Sequence, residues 1–170
     1  MKILTISGST RKDSANIHLL KALPRLFPNH SFHYYDRLGH LPLFQAELDQ
    51  HPWDQEVLAW RKAVQTADAL IISTPVYIYN IPALLKNALE WVTKTGEFDQ
   101  KRALALTFTP NPPRGEKAMQ SLLWSLQALN ANVMVQLPLY QNEMSFDADG
   151  NLIRNESSEM LKEAIQLLIG

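Results

Sequence analysis

Lys2-Ile3-Leu4-Thr5-Ile6-Ser7 runs straight into Gly8-Ser9-Thr10-Arg11-Lys12-Asp13-Ser14-Ala15-Asn16, and then into Ile17-His18-Leu19-Leu20-Lys21-Ala22-Leu23. The first stretch is a near-continuous apolar run, as expected for a strand covered on both faces. The third has the three-and-four spacing of an amphipathic helix. Strand, short turn and helix in series are the opening unit of a parallel sheet with helical crossovers. The same alternation continues along the chain. Further strands are expected at Ser31–Asp36, Ala69–Thr74, Ala103–Thr109 and Asn132–Pro138. Helices are expected at Ser14–Leu23, Trp53–Thr66, Ile81–Val92, Glu116–Leu129 and Ser157–Leu168. Pro24 is expected to end or kink the first helix near Leu23, and Pro52 to stand in the first turn of the second.

No repeat, low-complexity tract or linker interrupts the pattern, so residues 1–170 read as a single doubly wound domain. The expected fold is an α/β three-layer sandwich: a five-stranded parallel sheet of the flavodoxin-like order 2-1-3-4-5, with helices on both faces. In that order a ligand crevice opens beyond the C-terminal ends of strands one, three and four. Informative residues should therefore follow Ser7, Thr74 and Thr109.

The turn after Ser7 carries hydroxyls, an arginine and an asparagine into a helix N-terminus. Free backbone N–H groups and the helix dipole favour an anion there, and Ser9, Arg11, Ser14 and Asn16 add donors suited to phosphate. A plainer reading of the same turn is that Ser14 or Asp13 caps the helix and Arg11 is solvated. The six glycines stand at 8, 39, 96, 115, 150 and 170, so neither G-x-G-x-x-G nor G-x-x-x-x-G-K-[ST] can be written. A mononucleotide phosphate remains. After the third strand, Pro75 and Pro82 bracket a stiff loop whose tyrosines, Tyr77 and Tyr79, could wall an aromatic ring, cover the sheet end or meet a partner subunit.

With 46% hydrophobic and 19% charged residues, the composition is that of a soluble globule. Lys+Arg 16 against Asp+Glu 17 leaves a net charge of -1, which gives no general field for nucleic acid. A count of Cys 0 rules out thiolate catalysis and cysteine metal sites and fits a cytoplasmic location. No apolar run is long enough to span a bilayer, and the N-terminus lacks the pattern of a secretion signal.

His18, His30, His33, His40 and His51 read as surface or strand-edge residues, since His30-Ser31-Phe32-His33 has no evident third ligand. Asp147-Ala148-Asp149-Gly150-Asn151 lacks the spacing of a calcium loop and reads as a tight turn. Asn155-Glu156-Ser157 fits the glycosylation pattern by chance. No serine stands in a G-x-S-x-G elbow. Leu84, Leu85, Ala88, Leu89, Trp91 and Val92 form a face wider than one sheet contact needs, which points to a subunit interface or to full burial within one chain.

Taken together and in order, several segments resemble the NADPH-dependent FMN reductase family. They are Gly8-Ser9-x-Arg11-x-x-Ser14-x-Asn16, Leu41-Pro42-Leu43-Phe44, Trp60-Arg61, Ala67-Asp68-Ala69-Leu70-Ile71-Ile72, Thr74-Pro75-x-Tyr77, Ile81-Pro82 and Leu85-Lys86-Asn87-Ala88-x-x-Trp91. The resemblance implies FMN, with its phosphate held by Ser9, Arg11, Ser14, Ala15 and Asn16. It places Pro75, Val76, Tyr77 and Ile78 along the isoalloxazine, and in the turn after the fourth strand flavin contact would come from Thr109, Asn111, carbonyls or Gly115. It also implies NADPH or NADH as hydride donor to flavin N5, so that no protein acid or base is assigned. The acceptor would be a small molecule such as free flavin or a quinone, and the chain a homodimer or homotetramer without membrane or nucleic-acid partners. An FMN-binding electron-transfer protein without NAD(P)H turnover, and a relative that has lost flavin, are the alternatives. Two loops depart from the family. Val76-Tyr77-Ile78-Tyr79 replaces the usual Glu-Tyr-Asn-Gly, and Thr109-Pro110-Asn111-Pro112-Pro113-Arg114-Gly115 replaces a Ser/Gly-rich turn.

Overall fold

The computed structural model describes residues 1–50 and 52–170. Five strands, β1 (Lys2–Ser7), β2 (Ser31–Tyr35), β3 (Ala69–Thr74), β4 (Arg102–Thr109) and β5 (Asn132–Tyr140), form one sheet in the order 2-1-3-4-5. Every neighbouring pair is parallel. The helices are α1 (Ala15–Leu26), α2 (Gln55–Thr66), α3 (Ala83–Glu90), α4 (Glu116–Ala128) and α5 (Glu156–Ile169). The expected architecture is thus the observed one.

Side chains on a strand alternate between its two faces, so each central strand feeds two cores. Leu4, Ile6, Leu70, Ile72, Ala103 and Ala105 meet α2, α3 and α4 on one face. Ile3, Ala69, Ile71, Leu104, Leu106 and Phe108 meet α1 and α5 on the other. Both faces being covered explains why β1, β3 and β4 read as unbroken apolar runs. On edge strand β5 burial alternates, and Pro138 is tolerated because one side of that strand pairs with nothing.

Local chemistry moves several boundaries. α1 continues through Pro24 to Leu26, contrary to the expected stop near Leu23. Proline there removes one late hydrogen bond, while Leu23, Leu26 and Phe27 all gain a place in the apolar core. α2 begins at Gln55 because the Asp54 side chain accepts the Glu56 N–H at 2.7 Å and caps it, leaving Pro52 and Trp53 ahead of the helix. α3 is shorter than expected, bounded by Pro82 at one end and Trp91 at the other.

The broad apolar face of α3 needs no second copy of the chain, because Leu85, Ala88, Leu89, Trp91 and Val92 are buried within one. Part of the cover is the segment around Pro42 and Phe44. Asn87 Nδ2 and Trp91 Nε1 donate to the Pro42 carbonyl at 3.0 and 2.7 Å, and Asn87 Oδ1 accepts the Phe44 N–H at 2.7 Å. Asp147–Asn151 is the turn expected: the Asp147 carboxylate accepts the Asn151 side-chain amide and the backbone N–H groups of Asn151 and Asp149, which together hold its pKa below the usual value. Asn155 caps α5 in a reciprocal box with Ser158. His30 Nδ1 lies 3.3 Å from the N-terminal nitrogen, and His51 lies outside the described residues.

Candidate functional site

A crevice opens where β1, β3 and β4 end. Its first part, about 370 Å³, is walled by the loop after β1 (Ser9, Arg11, Asp13, Ser14, Ala15, Asn16), the loop after β3 (Pro75, Val76, Tyr77) and residues around the end of β4, including Phe108, Thr109, Pro110 and Arg114, with Gln141 beyond β5. Its second part, about 900 Å³, is walled by Val76, Ile78 and Tyr79 on one side and by 113–117 on the other. Val76 and Arg114 border both, so the two parts adjoin.

The β1 loop is shaped for an anion. Gly8 lets it turn tightly over β3, since a Cβ there would lie 2.9 Å from Thr74 Oγ1. Ser9 Oγ accepts the Arg11 N–H and Ser14 Oγ accepts the Asn16 N–H, each at 3.2 Å. Both serines are buried, and neither hydroxyl hydrogen is donated to a described residue. The backbone N–H groups of Thr10, Lys12, Asp13, Ser14 and Ala15 likewise have no partner among the described residues. The Arg11 guanidinium is in the same condition, whereas Asp13 is drawn to His18 at 2.7 Å. This is a concentration of donors without acceptors beside a helix N-terminus, which a phosphate satisfies.

Two expected ligands have other duties. Asn16 Oδ1 accepts the Ser73 hydroxyl at 2.7 Å and Asn16 Nδ2 donates to the Phe108 carbonyl at 3.1 Å, so its buried side chain ties α1 to β3 and β4. Asn111 lines neither part of the crevice; its amide turns to the Pro112 carbonyl at 3.3 Å on the exposed side of the loop. Thr109 stays in the wall, with its hydroxyl donated to the Arg114 carbonyl at 2.9 Å.

Ile78 and Tyr79 form the tip of a two-residue hairpin, closed by paired bonds between Tyr77 and Asn80. Both have positive φ, 50° and 57°, a region unfavourable for a β-branched residue. They are also 98% and 80% exposed, so the conformation is supported by the Tyr77–Asn80 backbone pair and not by packing of the two side chains. Backbone strain of this kind concentrates at binding sites.

Sequence reasoning missed Arg114, Glu116, Lys117 and Gln141 as wall residues. The signal available for the first three was a helix start following the third expected site loop. A smaller cavity of about 260 Å³ adjoins the β1 loop on the β2 side, lined by residues that include Arg11, Lys12, Tyr34, Tyr35 and His40. Burial pushes the Tyr35 phenol up to about 12, with Glu56 adding to the shift, so it stays protonated at neutral pH.

Comparison with known proteins agrees with the fold. Residues 1–142 match the family described as NADPH-dependent FMN reductase. An NAD(P)H-dependent FMN reductase of Pseudomonas aeruginosa is 30% identical over 175 residues, covering 99% of this chain and 93% of that protein. A 2-hydroxy-1,4-benzoquinone reductase of a Burkholderia species is 32% identical over 170 residues, covering 95% and 91%. In fold, the chain is similar to FerB, a flavoenzyme NAD(P)H:(acceptor) oxidoreductase from Paracoccus denitrificans, with a TM-score of 0.79, 23% identity, and coverage of 98% and 94%. Among the described residues no helix is long and apolar enough to cross a membrane. On the match across residues 1–142, the chain belongs to the NADPH-dependent FMN reductase family.

Proposed function

We propose that this NAD(P)H-dependent flavin oxidoreductase holds FMN with its phosphate in the β1 loop and its ring system along the β3 loop, and delivers electrons to a quinone-like small molecule. The observation that carries the reading is the pair of buried serines, Ser9 and Ser14, whose oxygens are occupied as acceptors and whose hydrogens remain to be given. Arg11 and the unpaired N–H groups complete a set of donors with no acceptor of its own. When bound, FMN supplies the redox chemistry, taking hydride at N5 and passing the electrons on.

The protein's share is placement. Pro75, Val76 and Tyr77 border the first part of the crevice and Ile78 the second, so a ring laid along this loop has one rigid side. The breadth of the second part leaves space for a second planar molecule over the exposed side, where nicotinamide and acceptor can alternate. Residues 1–170 act as one FMN-binding domain in this reading, since α5, beyond the family match, packs on β4 and β5. The need for NAD(P)H supports a cytoplasmic site of action.

Titration of the purified protein with FMN and riboflavin tests the phosphate assignment. FMN is expected to bind at least about tenfold more tightly, because charge-assisted bonds to phosphate have no counterpart in riboflavin. Equal affinities would remove the cradle's role. A homodimer or homotetramer belongs to the same proposal, supported by the exposed Ile78, Tyr79 and Trp124 side chains. Sedimentation of the FMN-loaded protein at micromolar concentration should give an oligomer, and a monomer would refute it.

A further inference from the structure

We propose that Arg114 sets the charge at the ring end of the crevice, by holding the negative charge that bound FMN gains on reduction; the proposal rests on the FMN reading above. Arg114 borders both parts of the crevice, and its guanidinium has no hydrogen bond or ion pair with any described residue. An arginine remains charged throughout the working pH range. Burial by a ligand therefore leaves this group needing an anionic or acceptor-rich partner.

Its backbone is held in place from both sides. The Arg114 carbonyl accepts the Thr109 hydroxyl at 2.9 Å, and the Arg114 N–H donates to the Asn111 carbonyl at 3.2 Å. The next residue, Gly115, has φ 108° and sits so close to β4 that a Cβ would be 3.0 Å from Thr107 Oγ1. A side chain is thus excluded at the bend that carries Arg114 into α4. Pro110, Pro112 and Pro113 have no N–H to offer. Donors on this wall are consequently the Arg114 guanidinium, the Lys117 ammonium and the first turn of α4, which has no side-chain cap.

Glu116 opposes one of the two cations, leaving a net positive wall. The facing wall of Val76, Ile78 and Tyr79 carries no charge. A planar ring with one polar and one apolar edge is oriented by this contrast, polar edge toward Arg114. Reduction by NAD(P)H moves one hydride, a proton with two electrons, from nicotinamide to FMN. The nicotinamide becomes cationic and the flavin gains one negative charge. A cation beside that charge favours the reduced form over the oxidised one.

The test uses the full-length FMN-loaded protein and measures affinity for oxidised flavin together with the midpoint potential. Arg114→Gln is expected to bind oxidised FMN within about threefold of wild type and to lose about tenfold more affinity for reduced FMN than for oxidised, a potential lower by about 30 mV for a two-electron couple. Arg114→Lys should recover part of the shift. Arg154→Gln, which removes an exposed cation paired with Glu159, should leave the potential unchanged. Riboflavin should show the same shift with Arg114→Gln as FMN does. An unchanged potential overturns the proposal, as does a loss confined to FMN, which would assign Arg114 to the phosphate. Wild-type protein that binds no FMN would instead sink the FMN reading, and this proposal with it.

Discussion

Arg61→Ala is expected to lower the unfolding free energy by about 3–5 kcal/mol, the usual consequence of removing one member of a buried ion pair. Arg61 and Asp49 form such a pair, with side chains 5% and 1% exposed. Arg61 Nε and Nη2 also donate to the Trp91 carbonyl at 3.0 and 2.9 Å, and the guanidinium lies 4.0 Å from the centre of the Trp53 ring. The variant leaves the Asp49 carboxylate buried with the exposed Lys94 ammonium at 3.8 Å as its one cation among the described residues, removes the guanidinium that lies 3.9 Å from Glu97, and strips a carbonyl at the end of α3 of both its bonds from Arg61. Urea unfolding measures the loss. Asp49→Ala together with Arg61→Ala should be less harmful than the sum of the two single changes, because the stranded charge is gone. A cost below about 1 kcal/mol for Arg61→Ala would mean that the pair adds little to the fold.

This clamp shows why resemblance and site are different things. Trp60-Arg61, Leu41-Pro42-Leu43-Phe44 and Asn87 with Trp91 all helped to reveal the family. In the structure they dock on one another behind α3, where Trp60 Nε1 donates to the Ala88 carbonyl at 2.8 Å and the Pro42 carbonyl takes bonds from Asn87 and Trp91. They hold up the element that follows the β3 loop without entering the crevice.

The fold was legible because its signals are local. Apolar runs at Ile3–Ile6 and Leu70–Ile72 and the stripes of the helices state their own period, and their alternation gives a parallel sheet with helical crossovers, whereas the order 2-1-3-4-5 is one of the few doubly wound orders that this alternation allows. The β1 loop was legible for the same reason, since hydroxyls, an arginine and a helix start are adjacent in sequence. The structural ties of Asn16 are not legible in the sequence because its partners, Ser73 and Phe108, lie 57 and 92 residues away. The outward turn of Asn111 is not legible in the sequence because the orientation of a proline-rich loop depends on what its neighbours pack against. Arg114 stands in sequence as one charge among prolines, yet those prolines, by offering no N–H, leave this wall to its guanidinium.

Arg11→Ala is expected to weaken FMN binding by about 10- to 100-fold, the range for losing charge-assisted hydrogen bonds to a phosphate. Arg11 is the cleanest residue of the loop on which to test the cradle. Ser14→Ala would remove the cap of α1 along with any ligand bond, because Ser14 Oγ accepts the Asn16 N–H. Asn16→Ala would cut the ties to Ser73 and Phe108. The exposed Arg11 guanidinium pairs with no described residue, so its loss reads on the ligand alone. Thermal stability of the flavin-free variant should match wild type, while FMN titration shows the weakened binding. Arg11→Lys should restore the charge without the fork that grips two phosphate oxygens, and so recover only part of the affinity. Because Arg11 is exposed, salt screens its attraction: FMN affinity of the wild type should fall more steeply with ionic strength than that of Arg11→Ala. Parallel salt dependences with unchanged affinity would show that the phosphate lies elsewhere. A shallower slope with weakened binding would place it against this guanidinium, at the N-terminus of α1.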